Sequence, residues 1–134
     1  MAKGTHDHQD DPRNAEVFIN INGELVPRAD AMVSVFDSGF MLGDGVWEGL
    51  RVHQGRIAFL DQHMDRLFEG AKAIDMDIGI DRATLEQRLY EKIDAMGDTE
   101  GVHIILMVTR GIRSTPYQDP RVIISPATIV IVPE

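Results

Sequence analysis

Arginines carry most of the chemistry that this sequence offers. Arg66 sits in His63-Met64-Asp65-Arg66-Leu67, and Arg51 closes Gly43-Asp44-Gly45-Val46-Trp47-Glu48-Gly49-Leu50-Arg51. Arg110 and Arg113 flank Gly111 in a later basic stretch. A guanidinium presents a planar fork of donors that matches the oxygens of a phosphate or a carboxylate. Three places therefore offer fixed positive charge to an anion, on a chain whose formal net charge is -9. Nucleophiles are scarcer: cysteine is absent, and no lysine follows Lys92. His53, His63 and His103 are too far apart to suggest a metal or catalytic cluster, and His63 reads as a hydrogen-bonded packing residue rather than a base. No serine-nucleophile elbow, phosphate-binding Walker loop, HExxH pair or EF-hand loop is present.

Each arginine also has a plainer reading. Arg66 falls two positions after Met64 and one before Leu67, at the border of a helix's buried stripe, from which it can reach the sheet's end. A surface salt bridge to Asp61, Asp65 or Glu69 would account for it equally well. Alternation along a strand puts Trp47, Gly49, Arg51 and His53 on one face, opposite Val46, Glu48, Leu50 and Val52. Trp47 and Arg51 could then wall a carboxylate pocket, or the indole could be half-buried with Arg51 as its polar rim. Residues 110–117 read as a loop beyond the end of a buried strand, a common place for ligands, or as a turn with exposed arginines.

The elements that must hold these residues are legible from periodicity. Val17-Phe18-Ile19-Asn20-Ile21 is β-prone, Asn22-Gly23 is a two-residue hairpin turn, and Pro27 ends the return strand at a sheet edge. Residues 29–36 read as a packed connector and 40–45 as a glycine-rich loop. Strand 46–53 turns at Gln54-Gly55 into a return strand, 56–60. Asp61 should cap a helix running to about Ile74, with Met64, Leu67, Phe68, Ala71 and Ile74 as its inner stripe. Asp81 caps a second helix to about Met96, ended by Gly97. The apolar run 102–108 predicts a central strand covered on both faces, and 122–124 and 127–132 predict further strands. The fold class expected is α+β: two helices packed on a mostly antiparallel sheet.

At 134 residues, 43% of them hydrophobic, one domain with a real core is expected. The boundaries are a disordered tail at 1–15, a small α+β domain at 16–132, and the start of a linker at 133–134. His6 and His8 in the tail could catch a metal only by ordering a flexible segment, so a solvated tail is expected. The acidic balance argues against nucleic acid, and no apolar run approaches the length that spans a bilayer. No membrane association and a cytoplasmic location are expected. The very apolar strand 128–132, stopping at Pro133-Glu134, suggests that a linker or a second domain follows, with a complete small domain as the plainer reading.

Taken in order, Phe-Ile-Asn-Ile-Asn-Gly at 18–23, the segment 43–51, His-Met-Asp-Arg-Leu at 63–67 and Thr-Arg-Gly at 109–111 resemble the small N-terminal domain of class IV (fold type IV) pyridoxal-phosphate-dependent aminotransferases. Branched-chain, D-amino acid and amine transaminases and aminodeoxychorismate lyase belong to that group. The resemblance implies transfer of an amino group between an amino acid, or a primary amine, and a 2-oxo acid through a pyridoxal 5'-phosphate Schiff base. It implies that Arg66 binds the cofactor phosphate and that Trp47, Arg51, Arg113, Leu42 and Phe40 face substrate. Arg113 is the better carboxylate ligand in its loop, and Arg110 the structural one. The catalytic lysine is expected beyond Glu134, so the 134-residue chain alone should be inactive. A homodimer or larger homo-oligomer is implied, with Phe40 to Leu42 serving a neighbour's pocket. Trp47 and Leu42, where phenylalanine or tyrosine and tyrosine are usual, weaken a strict branched-chain assignment. A lyase of the same fold and an anion-binding domain without turnover stay open.

Overall fold

The computed structural model describes residues 7–134. In chain order these form β1 (Phe18–Ile21), β2 (Glu24–Pro27), α1 (Ser38–Leu42), β3 (Gly45–His53), β4 (Arg56–Ile57), α2 (Leu60–Ala73), α3 (Arg82–Asp94), β5 (His103–Thr109) and β6 (Thr128–Pro133). The strands make one antiparallel sheet in the order β2-β1-β6-β5-β3-β4. This is the expected α+β class.

Register sorts the side chains into two layers. Paired residues in neighbouring strands share a face, so Asn20, Ile131, Leu106 and Glu48 form one row, and Ile21, Val130, Met107 and Trp47 form the next row on the opposite face. The first face packs under α2 and α3. Met64, Leu67 and Ala71 from α2 and Leu85, Leu89 and Ile93 from α3 close over Leu50, Ile104, Leu106, Val108, Ile129 and Ile131. Each helix contributes a stripe at three- and four-residue steps, so its burial follows from its periodicity; Ile74, expected in the α2 stripe, instead lies just past the helix end and is exposed.

Several local expectations need correction. Residues 12–16 form a 3₁₀ turn capped by Asp11, and Arg13 pairs with Asp98, so order begins ahead of the expected boundary. His6 lies outside the described residues; among the described residues no group of side chains could hold a metal. The expected loop at 40–45 begins inside α1, whose N-cap Asp37 accepts from the Gly39 amide. Gly43 ends α1 in the left-handed region at φ 67°, where a side chain would be strained. Asp61 does not cap α2: Phe59 holds the cap position, and Asp61 instead accepts from Arg82. β5 alternates between buried and half-buried residues, so only one of its faces is covered by helices. The strand expected at 122–124 does not form: a 3₁₀ turn over 120–122 takes Val122, and Ile123 makes only an isolated bridge to Arg113. β6 lies between β1 and β5, the interior position that its apolar run suggested. No helix among the described residues is long and apolar enough to cross a membrane.

The connector at 29–36 is the largest departure. It was expected to be packed, yet Met32, Val33, Val35 and Phe36 are exposed. Met32 and Val33 border the groove on the second face of the sheet, which neither α2 nor α3 covers.

Candidate functional site around the outer edge of the third strand

β3 is the strand that carries the glycine-rich segment, and β4 covers its outer edge only at Val52 and His53. Along 45–50 that edge has no strand beside it among the described residues. Two sets of side chains meet here, one on each face of β3.

On the helix-covered face, Glu48 interrupts the apolar alternation of Val46, Leu50 and Val52. Only 3% of it is exposed. A carboxylate removed from water needs compensating donors, and two residues one turn apart on α2 supply them. Arg66 Nε donates to Oε1 at 2.6 Å, and Nη2 donates to Oε2 at 2.6 Å. His63 Nδ1 lies 2.8 Å from Oε2. The hydrogen bonds from Arg66 hold the Glu48 carboxyl below the ordinary glutamate range against the opposing effect of burial, and His63 adds to the lowering. Glu48 in turn raises the Arg66 pKa further, so the guanidinium stays charged. The Arg66 side chain is 73% exposed even so. One edge of its fork is satisfied from inside, and its outer nitrogens face solvent at the border of the buried stripe.

On the open face, Trp47 is 66% exposed. It borders a groove of about 740 Å³ whose floor is Ile21, Val130 and Met107, with Met32 and Phe40 at the rim. Gly49 follows Trp47 on this face. A side chain at 49 would come within 3.1 Å of the His103 ring, so glycine lets that imidazole lie across the strand. Arg51 comes next on the same face, exposed, paired in register with His103, and with no side-chain hydrogen bond to any described residue.

Phe40 and Trp47 thus line one groove. Leu42, although partly exposed on α1, does not line it, and neither does Arg51. Arg66 stands on the other face of β3. Arg113 was expected to face a substrate carboxylate and does not: it is only 2% exposed. Its Nε donates to the Tyr117 carbonyl at 2.9 Å, and its Nη2 donates to the carbonyls of Tyr117 and Asp119. The loop folds back over its own arginine, which the turn-rich run 115–120 gave no way to foresee. Arg110 is structural, as expected. It pairs with Asp44 at 2.7 Å and donates to the carbonyls of Ile74 and Asp75 just beyond the end of α2.

Sequence reasoning missed Glu48. The signal was available, because a single acid on an otherwise apolar, inward-facing strand row must have a partner. Asp37 was missed as well. It is buried, caps α1 and accepts from Thr109 Oγ1 at 2.9 Å, tying the short helix to the end of β5.

The family model described as amino-transferase class IV matches residues 45–133, a stretch that contains β3, α2 and the two later strands. The chain belongs to this family. Branched-chain-amino-acid aminotransferase-like protein 1 of Arabidopsis thaliana is 39% identical over 109 residues, covering 81% of this chain and 20% of that protein. Among solved structures, the branched-chain aminotransferase of Thermoproteus uzoniensis, determined with norvaline, superposes with a TM-score of 0.73 at 26% identity, covering 88% of this chain and 40% of its own. The branched-chain amino acid aminotransferase of Escherichia coli shares the fold with a TM-score of 0.72 at 21% identity, covering 89% of this chain and 40% of its own. The chain therefore spans about a fifth of the length of its Arabidopsis relative and two fifths of those structures.

The donor set suits a phosphorylated cofactor. A guanidinium whose inner edge is satisfied still has outer donors of the kind that phosphate oxygens accept.

Proposed function

We propose that this chain supplies the phosphate grip and one wall of the active site in a pyridoxal-phosphate-dependent aminotransferase. The enzyme would move an amino group between an amino acid or primary amine and a 2-oxo acid. The observation that carries this reading is the Arg66 guanidinium, fixed by Glu48 on its inner side and presenting its remaining donors to solvent.

When bound, pyridoxal 5'-phosphate supplies a carbonyl carbon that takes up an amine and a ring that withdraws electrons from it. The residues of this chain bind and orient. Arg66 would hold the phosphate as a fixed anchor. Trp47, exposed beside the uncovered edge of β3, would exclude water from one side and shape the substrate's side-chain space. Phe40, at the rim of the same groove, would extend that wall. Arg51, exposed and without a side-chain partner, would attract the substrate's carboxylate. Leu42 on α1 is left for a neighbouring subunit's pocket, in a homodimer or larger assembly. The lysine that exchanges protons with substrate would come from a large domain of the same protein. Arg113, buried and satisfied, has no part in substrate binding.

Replacing Arg66 by alanine should weaken cofactor retention about ten- to a hundredfold, the range expected for a charge-assisted hydrogen bond, and leave substrate preference unchanged. Titrating the full-length variant with pyridoxal 5'-phosphate, read by its visible absorbance, gives the answer. Unaltered affinity would remove Arg66 from the site. Requirement for a 2-oxo acid in turnover separates a transferase from a lyase of the same fold.

A further inference from the structure

We propose that Glu48, held in place by His63, is the positioning residue that aims Arg66 at a phosphate group. The inference rests on the reading of Arg66 as the phosphate ligand and concerns what makes that ligand effective.

A guanidinium has five N–H donors and two edges that can grip a pair of oxygens. Glu48 occupies the edge formed by Nε and Nη2, with both contacts at 2.6 Å. Three hydrogens remain, two on Nη1 and one on Nη2, and one from each of these nitrogens forms the second edge. That edge points away from the buried carboxylate, toward solvent. The carboxylate therefore selects which face of the fork is presented.

The anchor itself is rigid. Glu48 lies in the middle of a nine-residue strand paired to β5 along its length, and it is buried between Val46 and Leu50 on the covered face. His63 Nδ1 takes Oε2 from a second direction, so the carboxylate plane is fixed by two partners. His63 and Arg66 are three residues apart on α2 and so project on the same side of the helix. A long, mostly exposed arginine left to itself samples many rotamers and loses that freedom when it binds. Here two hydrogen bonds to Glu48 hold the guanidinium without any ligand.

Glu48 also carries a negative charge close to where a phosphate would sit. Two opposed effects thus attach to one residue. Charge repulsion would weaken anion binding, and orientation would strengthen it. At a guanidinium this exposed, water screens the repulsion strongly, while the loss of a fixed geometry is not screened. Orientation should win, and the sign of the mutational effect reports which one does.

The test compares four forms of the full-length protein freed of bound cofactor: unaltered, Glu48→Gln, Arg66→Ala and the double variant. Binding of inorganic phosphate is followed by 31P line broadening at fixed ionic strength. Glu48→Gln should weaken phosphate about tenfold, and Arg66→Ala at least as much. The double variant should bind no more weakly than Arg66→Ala, because Glu48 acts only through the arginine. Unchanged or tighter binding in Glu48→Gln, with Arg66→Ala impaired, overturns the inference and leaves Arg66 as the ligand. Equal losses from Glu48→Gln in both backgrounds also overturn it, since they mark a purely structural role. Unchanged binding in Arg66→Ala overturns the reading of Arg66 itself. If Glu48→Gln does not fold, the unaltered protein suffices. The Arg66 Nε–H resonance should be resolved and slowly exchanging without phosphate, and a rapidly exchanging, averaged signal would sink the proposal.

Discussion

The two faces of this sheet differ by a single step in register and by almost everything else. On one, Leu50, Ile104, Leu106 and Ile131 lie wholly beneath α2 and α3, and the one acid among them, Glu48, has its oxygens matched by Arg66 and His63. On the other, Trp47, Met107, Val130 and Ile21 floor a groove with no helix over it, bordered by Met32 and Phe40. Both rows are apolar, so hydrophobicity alone does not separate the core from the candidate site. The helices do. The same contrast divides the arginines: Arg66 is anchored from inside and open outside, whereas Arg113 is enclosed by the carbonyls of its own loop.

The sharpest way to break this comparison is to shorten one side chain on each face of β5. Leu106→Ala, under the helices, should cost about 2–5 kcal/mol in urea unfolding. Met107→Ala, one residue away on the open face, should cost well under half of that. Equal losses would mean that the open face is part of the stabilising core.

Next comes the enclosed arginine. Arg113→Ala leaves the carbonyls of Tyr117 and Asp119 without their donor, and should lower stability by about 1–3 kcal/mol. It should also expose residues 114–120 to limited proteolysis. Cofactor affinity should stay unchanged in this variant, in contrast to Arg66→Ala. A selective loss of substrate carboxylate binding, with stability intact, would reverse the assignment.

The buried acid predicts a pH dependence. Its folded pKa lies below the ordinary glutamate range. The Glu48 pair therefore contributes stability that is present above that range and is lost as pH falls through the depressed value. Glu48→Gln should unfold with a flatter acid limb than the unaltered protein, as followed by urea midpoints at successive pH values. Superimposable acid limbs would show that the pair contributes nothing to folding.

The smallest effect belongs to Trp47, the sole tryptophan. Because it is largely exposed, Trp47→Phe should shift stability by no more than about 0.5 kcal/mol. The fluorescence of the folded chain should already be that of a solvated indole and should move to the blue when a ligand enters the groove. Blue emission from the unliganded chain would show that the open face is covered.

Much of the fold was written in local pattern. The Asn22-Gly23 turn, with both residues at positive φ, the alternation along β3, the α2 stripe and the Asp81 cap of α3 each depend on neighbours a few residues away. The segments that departed from expectation were those whose structure depends on distant partners. Residues 38–42 turn helical because Asp37 and Ser38 are held by Thr109 and Gly111, more than seventy residues on.

The sequence by itself determined that an arginine would stand at the border of a helix's buried stripe, and that Glu48 would share a strand face with Val46, Leu50 and Val52. It did not determine that the two would meet. Local spacing offered Asp61, Asp65 and Glu69 as partners for Arg66, yet Arg82 takes Asp61 and Asp65, and Arg66 reaches Glu48 eighteen residues away. That choice comes from how α2 lies across β3, a matter of packing between elements. Tertiary structure likewise buried Arg113, because a loop's path over its own side chain is set by contacts that periodicity does not encode.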